Sequence, residues 1–116
     1  LDLISQVREI KGVKVLSAQV DDVDLKTLRD MAETLLGRMG SGITVLGTAR
    51  NGKVHLVAFV SRELTSRFHA GKLLKASAEI LEGSGGGRED FAQAGGSRPD
   101  RLSEALERIY ALVEEG

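Results

Sequence analysis

Residues 13–20, VKVLSAQV, are rich in β-branched side chains and partly alternate between apolar and polar positions, the period of a half-buried strand. From Leu25 the period changes. Leu25, Leu28, Ala32, Leu35 and Met39 fall three and four apart, which puts them on one helix face, with Asp24 placed to cap the start and Gly40 to end it. Two more strands come next, ITVLGTA from Ile43 and VHLVAFV from Val54, separated by Arg50-Asn51-Gly52-Lys53. Asn-Gly tolerates positive φ at both central positions of a tight turn, so the two form a hairpin. The second is nearly continuous in apolar residues, as expected of a central strand covered on both faces. A helix over 69–82 turns Ala70, Leu73, Leu74, Ala78 and Leu81 inward. A last helix, 100–115, carries the stripe Leu102, Leu106, Ile109 and Val113, and Pro99 suits its entry.

These elements predict an α/β fold: a small mixed β-sheet packed with about three helices, in the order strand, helix, strand, hairpin, helix, glycine-rich loop, helix. The crossover helix makes the first two strands parallel, and the hairpin adds an antiparallel neighbour. Residues 1–12, ending at Gly12, read as the end of a preceding linker or helical segment, and residues 13–116 as one domain. The chain has 116 residues and starts at Leu1, so it reads as a domain of a longer protein.

Between the last two helices lies GSGGGREDFAQAGG, residues 83–96. Its first half resembles a flexible linker. Beyond it the chain has only a single helix, too small to fold alone, so that helix has to dock back on the sheet. The glycine stretch is therefore expected to be internal to the domain and ordered.

Composition narrows the chemistry. Aromatics make up 3% of the chain, which leaves little material for a base-stacking platform. The net charge is −1, so a polyanion site has to be a local patch. With no cysteine there are no disulfides or thiolate metal sites, which fits a cytoplasmic location. No apolar run reaches the length of a membrane span. The patterns of the phosphate-binding P-loop and of the dinucleotide fingerprint are both absent. His55 and His69 lie on different elements, and a strand-borne His55 reads as a packed or edge residue; no metal ligand set is expected. No serine sits in a nucleophile-elbow setting, and Glu89-Asp90 read as solvated or capping acids, so no catalytic residue is assigned. One charge pattern remains. Arg62, Arg67, Lys72 and Lys75, with His69 among them, are opposed only by Glu63, and Lys72 and Lys75 share a helix face. Arg88 and Arg98 bracket the glycine motif. The bland reading is a solvated helix face; the sharper one is a cationic concavity where glycines let backbone amides approach phosphate oxygens and arginine supplies a planar fork.

The stretch Gly85-Gly86-Gly87-Arg88-Glu89-Asp90-Phe91-Ala92-Gln93-Ala94-Gly95-Gly96 resembles the GGGRPDMAQAGG signature of the C-terminal domain of alanyl-tRNA synthetases, which is homologous to the accessory domain of DHH-type phosphoesterases. Glu89 stands where that family usually has Pro, and Phe91 where it has Met. The first loosens the loop and adds a negative charge beside Arg88; the second preserves an apolar plug. Asp24–Arg29, the hairpin from Ile43 to Val60, Ala70–Lys75 and the closing helix Leu102–Val113 are similar to further segments of the same family, in the same order.

The resemblance implies a non-catalytic module of a ligase whose aminoacylation and editing domains lie upstream and use ATP, Mg and Zn; no cofactor is implied for the module itself. It implies tRNA(Ala) as partner, held at the elbow where the D and T loops meet, together with the other domains of the parent and, in some members, a further copy of the chain. Together with the charge pattern it points to Lys72, Lys75, Gly85, Gly86, Gly87, Arg88, Gln93 and Arg98 as the tRNA-binding residues. Alternatives are the nucleotide- or RNA-binding accessory domain of a DHH-type phosphoesterase, the same domain in a long-form free-standing alanyl-tRNA editing protein, and a structural oligomerisation domain. The phosphoesterase motif usually ends GGGH and lacks AQAGG, so Arg88 and residues 92–96 favour the synthetase.

Overall fold

A computed structural model describes residues 3–116. One six-stranded mixed sheet forms its centre, with strands β1 Arg8–Ile10, β2 Val13–Gln19, β3 Ile43–Arg50, β4 Lys53–Val60, β5 Ser84–Gly87 and β6 Phe91–Gly96. Their spatial order is β1-β2-β3-β4-β6-β5. Three helices cover it: α1 Leu25–Met39, α2 Ala70–Ile80 and α3 Leu102–Glu115.

The expected connections are present. β2 and β3 are parallel across the α1 crossover, and β3 and β4 are antiparallel. Arg50 pairs with Lys53 around a two-residue turn in which Asn51 and Gly52 take φ of 51° and 78°, the positive values of a type I′ hairpin. Asp24 caps α1 by accepting from the Thr27 amide at 2.8 Å, and Gly40 closes it at φ 83°. Residues 3–12, read from sequence as the end of a linker or helical segment, contain a 3-10 turn at Leu3–Gln6 and the edge strand β1. Leu1 and Asp2 lie outside the described residues.

The two sheet faces are covered unequally. α2 and α3 pack on one face, against Val15, Val45, Leu56, Ala58, Ala92 and Ala94 among others. On the other face α1 buries Leu28, Ala32, Leu35 and Met39 against Leu16, Leu46 and Val57. α1 thus lies chiefly over β3 and β4, with the 3-10 turn Leu3–Gln6 against β2. β4 lies centrally, as its apolar run predicts, yet His55 and Phe59 on its α1 side are half-buried. Beyond them β6 and β5 have no helix above them on this side. α3 is held to β2 by Tyr110, whose hydroxyl accepts from the Ser17 amide at 2.9 Å and donates to the Ser17 carbonyl at 3.1 Å.

Candidate nucleic-acid interface

The glycine-rich stretch is a β-hairpin. β5 pairs with β6 through Ser84↔Gly95, Gly85↔Ala94, Gly86↔Gln93 and Gly87↔Ala92, and β6 pairs in turn with β4. The turn at its tip is anchored by three bonds from α2 and β4: the Ala70 amide donates to the Glu89 carbonyl at 2.9 Å, the Gly71 amide to the Arg88 carbonyl at 3.1 Å, and the Val60 amide to the Asp90 carbonyl at 2.9 Å. The segment is thus internal and tied down, as the docking argument requires.

Most of its glycines are explained by packing. A Cβ on Gly85 would meet the Ala94 Cβ at 2.3 Å, and one on Gly87 would meet the Phe91 carbonyl oxygen at 2.5 Å. Gly71 lets α2 approach, since a Cβ there would lie 2.6 Å from the Gly87 oxygen. Gly86 differs: a Cβ on it meets nothing within 4 Å. It lies directly opposite Gln93, and directly paired residues share a sheet face. Gln93 alternates with Ala92 and Ala94, which face α2 and α3, and it pairs with Val57 of the α1 side. Gly86 and Gln93 therefore lie on the uncovered face.

The edge also offers backbone donors. The Arg88 amide donates to the Phe91 carbonyl at 2.8 Å, which makes 88 and 91 a hydrogen-bonded pair. By the alternation of an antiparallel ladder, Gly86 also bonds across to β6, while the amides of Gly85 and Gly87 point away from it, Gly85's to the open edge and Gly87's beside Gly71 at the start of α2. All four residues of β5 are exposed. The N-terminal amides of α2, by contrast, are already engaged. Ala70 and Gly71 donate to the hairpin turn, and the Lys72 amide donates to His69 Nδ1 at 3.2 Å. A ligand arriving there would meet side chains instead.

Around this hairpin the expected residues fall on three surfaces. Lys72 and Lys75 project from α2, exposed and on the far side of the sheet from Gln93. Arg88 sits at the tip, its side chain 76% exposed and 3.3 Å from Asp90. It shares a cleft of about 560 Å³ with Arg62, Thr65, Glu89 and Asp90. Gln93 lies under the open face, where its Oε1 is buried with no hydrogen-bond partner. A buried acceptor left unpaired is costly, and such atoms commonly mark a place that a water or a ligand group completes. Arg98 is engaged elsewhere. Its guanidinium binds Glu82 at 2.6 Å and Asp100 at 2.8 Å, and the hydrogen bonds to Asp100 and then Glu82 raise its pKa above the ordinary arginine range. It clasps the end of α2 to the start of α3, and its charge is already balanced.

The structure also makes an assembly that sequence reading did not foresee. Phe59 and Phe91 pair across β4 and β6 with ring centroids 4.8 Å apart, both half-buried on the uncovered face. Arg29 from α1, with Arg62 and Arg88, rims a cleft of about 440 Å³ that these rings line, alongside Glu33 and Asp90. A low overall aromatic content gave no signal for this local pairing, which depends on register between strands far apart in sequence. Among the described residues there is no group of three or more His, Cys, Asp or Glu placed to hold a metal, and no helix long and apolar enough to cross a membrane.

Comparison with known proteins gives a consistent result. Residues 12–115 match the family model described as the DHHA1 domain. The chain is 50% identical over 114 residues to the alanine–tRNA ligase of Pelotomaculum thermopropionicum, covering 97% of this chain and 13% of the ligase. It thus spans a small part of the curated relatives it matches. The C-Ala domain of the Aquifex aeolicus alanyl-tRNA synthetase superposes with a TM-score of 0.85 at 25% identity, covering 93% of this chain and 97% of that one. A pGpG-specific phosphodiesterase from Vibrio shares the fold at a TM-score of 0.51 and 15% identity, with 94% of this chain and 37% of its own covered.

Proposed function

The chain belongs to the DHHA1 domain family, and from that premise we propose that it is the C-terminal module of an alanyl-tRNA synthetase, binding the elbow of tRNA(Ala) so that the parent's aminoacylation and editing sites work on one tRNA. The module does no chemistry itself. It grips RNA by backbone and shape, through the open glycine edge and the basic side chains at the hairpin tip and on α2.

The observation that carries this reading is the contrast within the glycine triplet. Gly85 and Gly87 are required by contact with β6, whereas Gly86 has free space above it. A residue with room for a side chain gains backbone flexibility, and loses stability, by being glycine. Close approach of a ligand backbone accounts for its absence. The amide of Gly85 beside it, and Arg88 at the tip, supply donors of the kind that phosphate oxygens take.

The charge distribution agrees. Lys72 and Lys75 have no carboxylate partner among the described residues, while Arg8, Arg50, Arg98, Arg101 and Arg108 are all ion-paired away from the hairpin tip. Lys11, Lys14 and Lys53 are unpaired elsewhere and Arg88 is paired with Asp90, whereas Arg62 and Arg67, like Lys72 and Lys75, have no ion pair among the described residues and lie towards the end where α2 meets the hairpin. With a formal net charge of −1 over the whole chain, attraction for a polyanion comes from this end, and affinity is expected to be modest and salt-dependent. The test is a comparison of Gly86→Val with wild type in binding to a folded tRNA, with thermal melts alongside. Weaker binding at unchanged melting temperature supports the reading; equal binding refutes it.

A further inference from the structure

A further cleft lies on the α2 side of the domain, away from the uncovered sheet face. Thr65, Ser66, Arg67, His69 and Lys72 line it, over a floor of Phe68, Leu73, Leu112 and Gly116, and its volume is about 380 Å³. Its lining holds cationic side chains and no acidic one. The clefts beside Tyr110, beside Phe59 and at the hairpin tip differ, since their linings include Glu107, Glu33 with Asp90, and Glu89 with Asp90.

Its polar groups are arranged as donors. His69 Nδ1 accepts from the Lys72 amide at 3.2 Å, which fixes the neutral ring as the tautomer with its proton on Nε2. The Arg67 guanidinium lies 5.1 Å from the centroid of the Phe68 ring, a stacking contact that orients the fork without occupying its N–H groups. Ser66 and Lys72 are exposed, and neither side chain has a partner among the described residues. Thr65 differs, because its hydroxyl donates to the Arg62 carbonyl at 2.7 Å and is left to act as an acceptor. The side-chain hydrogen-bonding capacity left over is thus largely donor capacity, with two fixed positive charges against the single α-carboxylate of Gly116.

We propose that this cleft is a phosphate site, in which Arg67, Lys72, Ser66 and the His69 Nε2–H hold a backbone phosphate of the bound RNA, separate from the glycine hairpin. Lys75, one turn further along α2, continues the track along the same helix face. The assignment rests on the RNA-binding reading above. It adds a second point of contact on the opposite side of the sheet, so that the RNA backbone is gripped around the end of the domain where α2 meets the hairpin.

The experiment has two arms on the 116-residue chain, which carries its own core. In the first, inorganic phosphate is titrated at constant ionic strength while amide NMR shifts are followed. The amides of Ser66, His69 and Lys72 should move in wild type and stay still in Arg67→Ala/Lys72→Ala. In the second, binding of a labelled tRNA transcript is measured over a salt series. Losing one phosphate contact should reduce the magnitude of the log K against log salt slope by roughly 0.7 to 0.9. Both substituted residues are exposed, so the variant should melt with wild type, and Lys53→Ala at the far hairpin should leave the slope unchanged. An unchanged slope for the double variant, with binding lost in Gly86→Val, overturns the cleft and leaves RNA binding standing. Wild type that binds no RNA overturns both. Phosphate that shifts the hairpin amides and leaves residues 66–72 still also overturns the cleft.

Discussion

Replacing neighbouring glycines by alanine should have opposite effects on stability. At Gly85 the added Cβ would sit 2.3 Å from the Ala94 Cβ and 2.5 Å from the Gln93 oxygen, so β5 has to move off β6. Overpacking of that kind costs about 1–3 kcal/mol. At Gly86 the Cβ meets nothing within 4 Å and the backbone φ lies outside the positive range that disfavours side chains. There the substitution restricts the unfolded chain and should stabilise by about 0.4–1 kcal/mol. At about 2.1 cal/mol/K per residue, this 116-residue chain has a melting entropy of about 0.24 kcal/mol/K, so 1 kcal/mol moves the midpoint by about 4 °C. Gly85→Ala should melt about 4–12 °C below wild type, and Gly86→Ala about 2–4 °C above it, in thermal scans monitored by circular dichroism at about pH 7. Gly86→Ala melting as low as Gly85→Ala would mean that glycine at 86 is structural, and the argument for close ligand approach would lose its basis.

Other outcomes rest on single contacts. Tyr110→Phe removes the hydroxyl that serves both the Ser17 amide and carbonyl, leaving buried backbone groups unpaired, and should cost about 1–3 kcal/mol in a denaturant melt. Asp24 is held below its ordinary pKa of 3.8, chiefly by the Thr27 backbone amide, so its capping contributes above that value and is lost as pH falls through the lower folded one; Asp24→Ala should melt below wild type at neutral pH, with the gap closing in acid. Arg98→Ala breaks the clasp to Glu82 and Asp100, and should lower the melting temperature while leaving the salt slope of RNA binding as in wild type.

The elements that announced themselves in the sequence are those whose side chains carry a period. β2, the β3–β4 hairpin and all three helices fall where alternation, three-and-four spacing, Asp24, Asn51-Gly52 and Pro99 place them. β1 has three residues, too few for a period, and β5 is Ser-Gly-Gly-Gly, which has almost no side chains to alternate. The glycine motif therefore reads as a loop where the molecule has a strand pair. The candidate residues could be named from the sequence, but not the surfaces on which they would fall. Lys72 and Gln93 come out on opposite sides of the sheet because α2 packs on the face of Ala92 and Ala94 while Gln93 alternates to the other, a long-range choice that local pattern does not encode. Arg98 looked free because its partner Glu82 lies 16 residues away. Phe59 and Phe91 became neighbours only through the β4–β6 register.

The central claim is that this domain recognises folded RNA through its glycine edge, and the most direct measurement is a binding titration of wild type and Gly86→Val against a tRNA transcript and an unstructured RNA of equal length. Wild type should prefer the folded tRNA, because contacts are made to backbone and shape. Gly86→Val should lose that preference with its melting temperature no lower than wild type. Equal affinity of wild type for both RNAs, with none lost in Gly86→Val, would contradict the account.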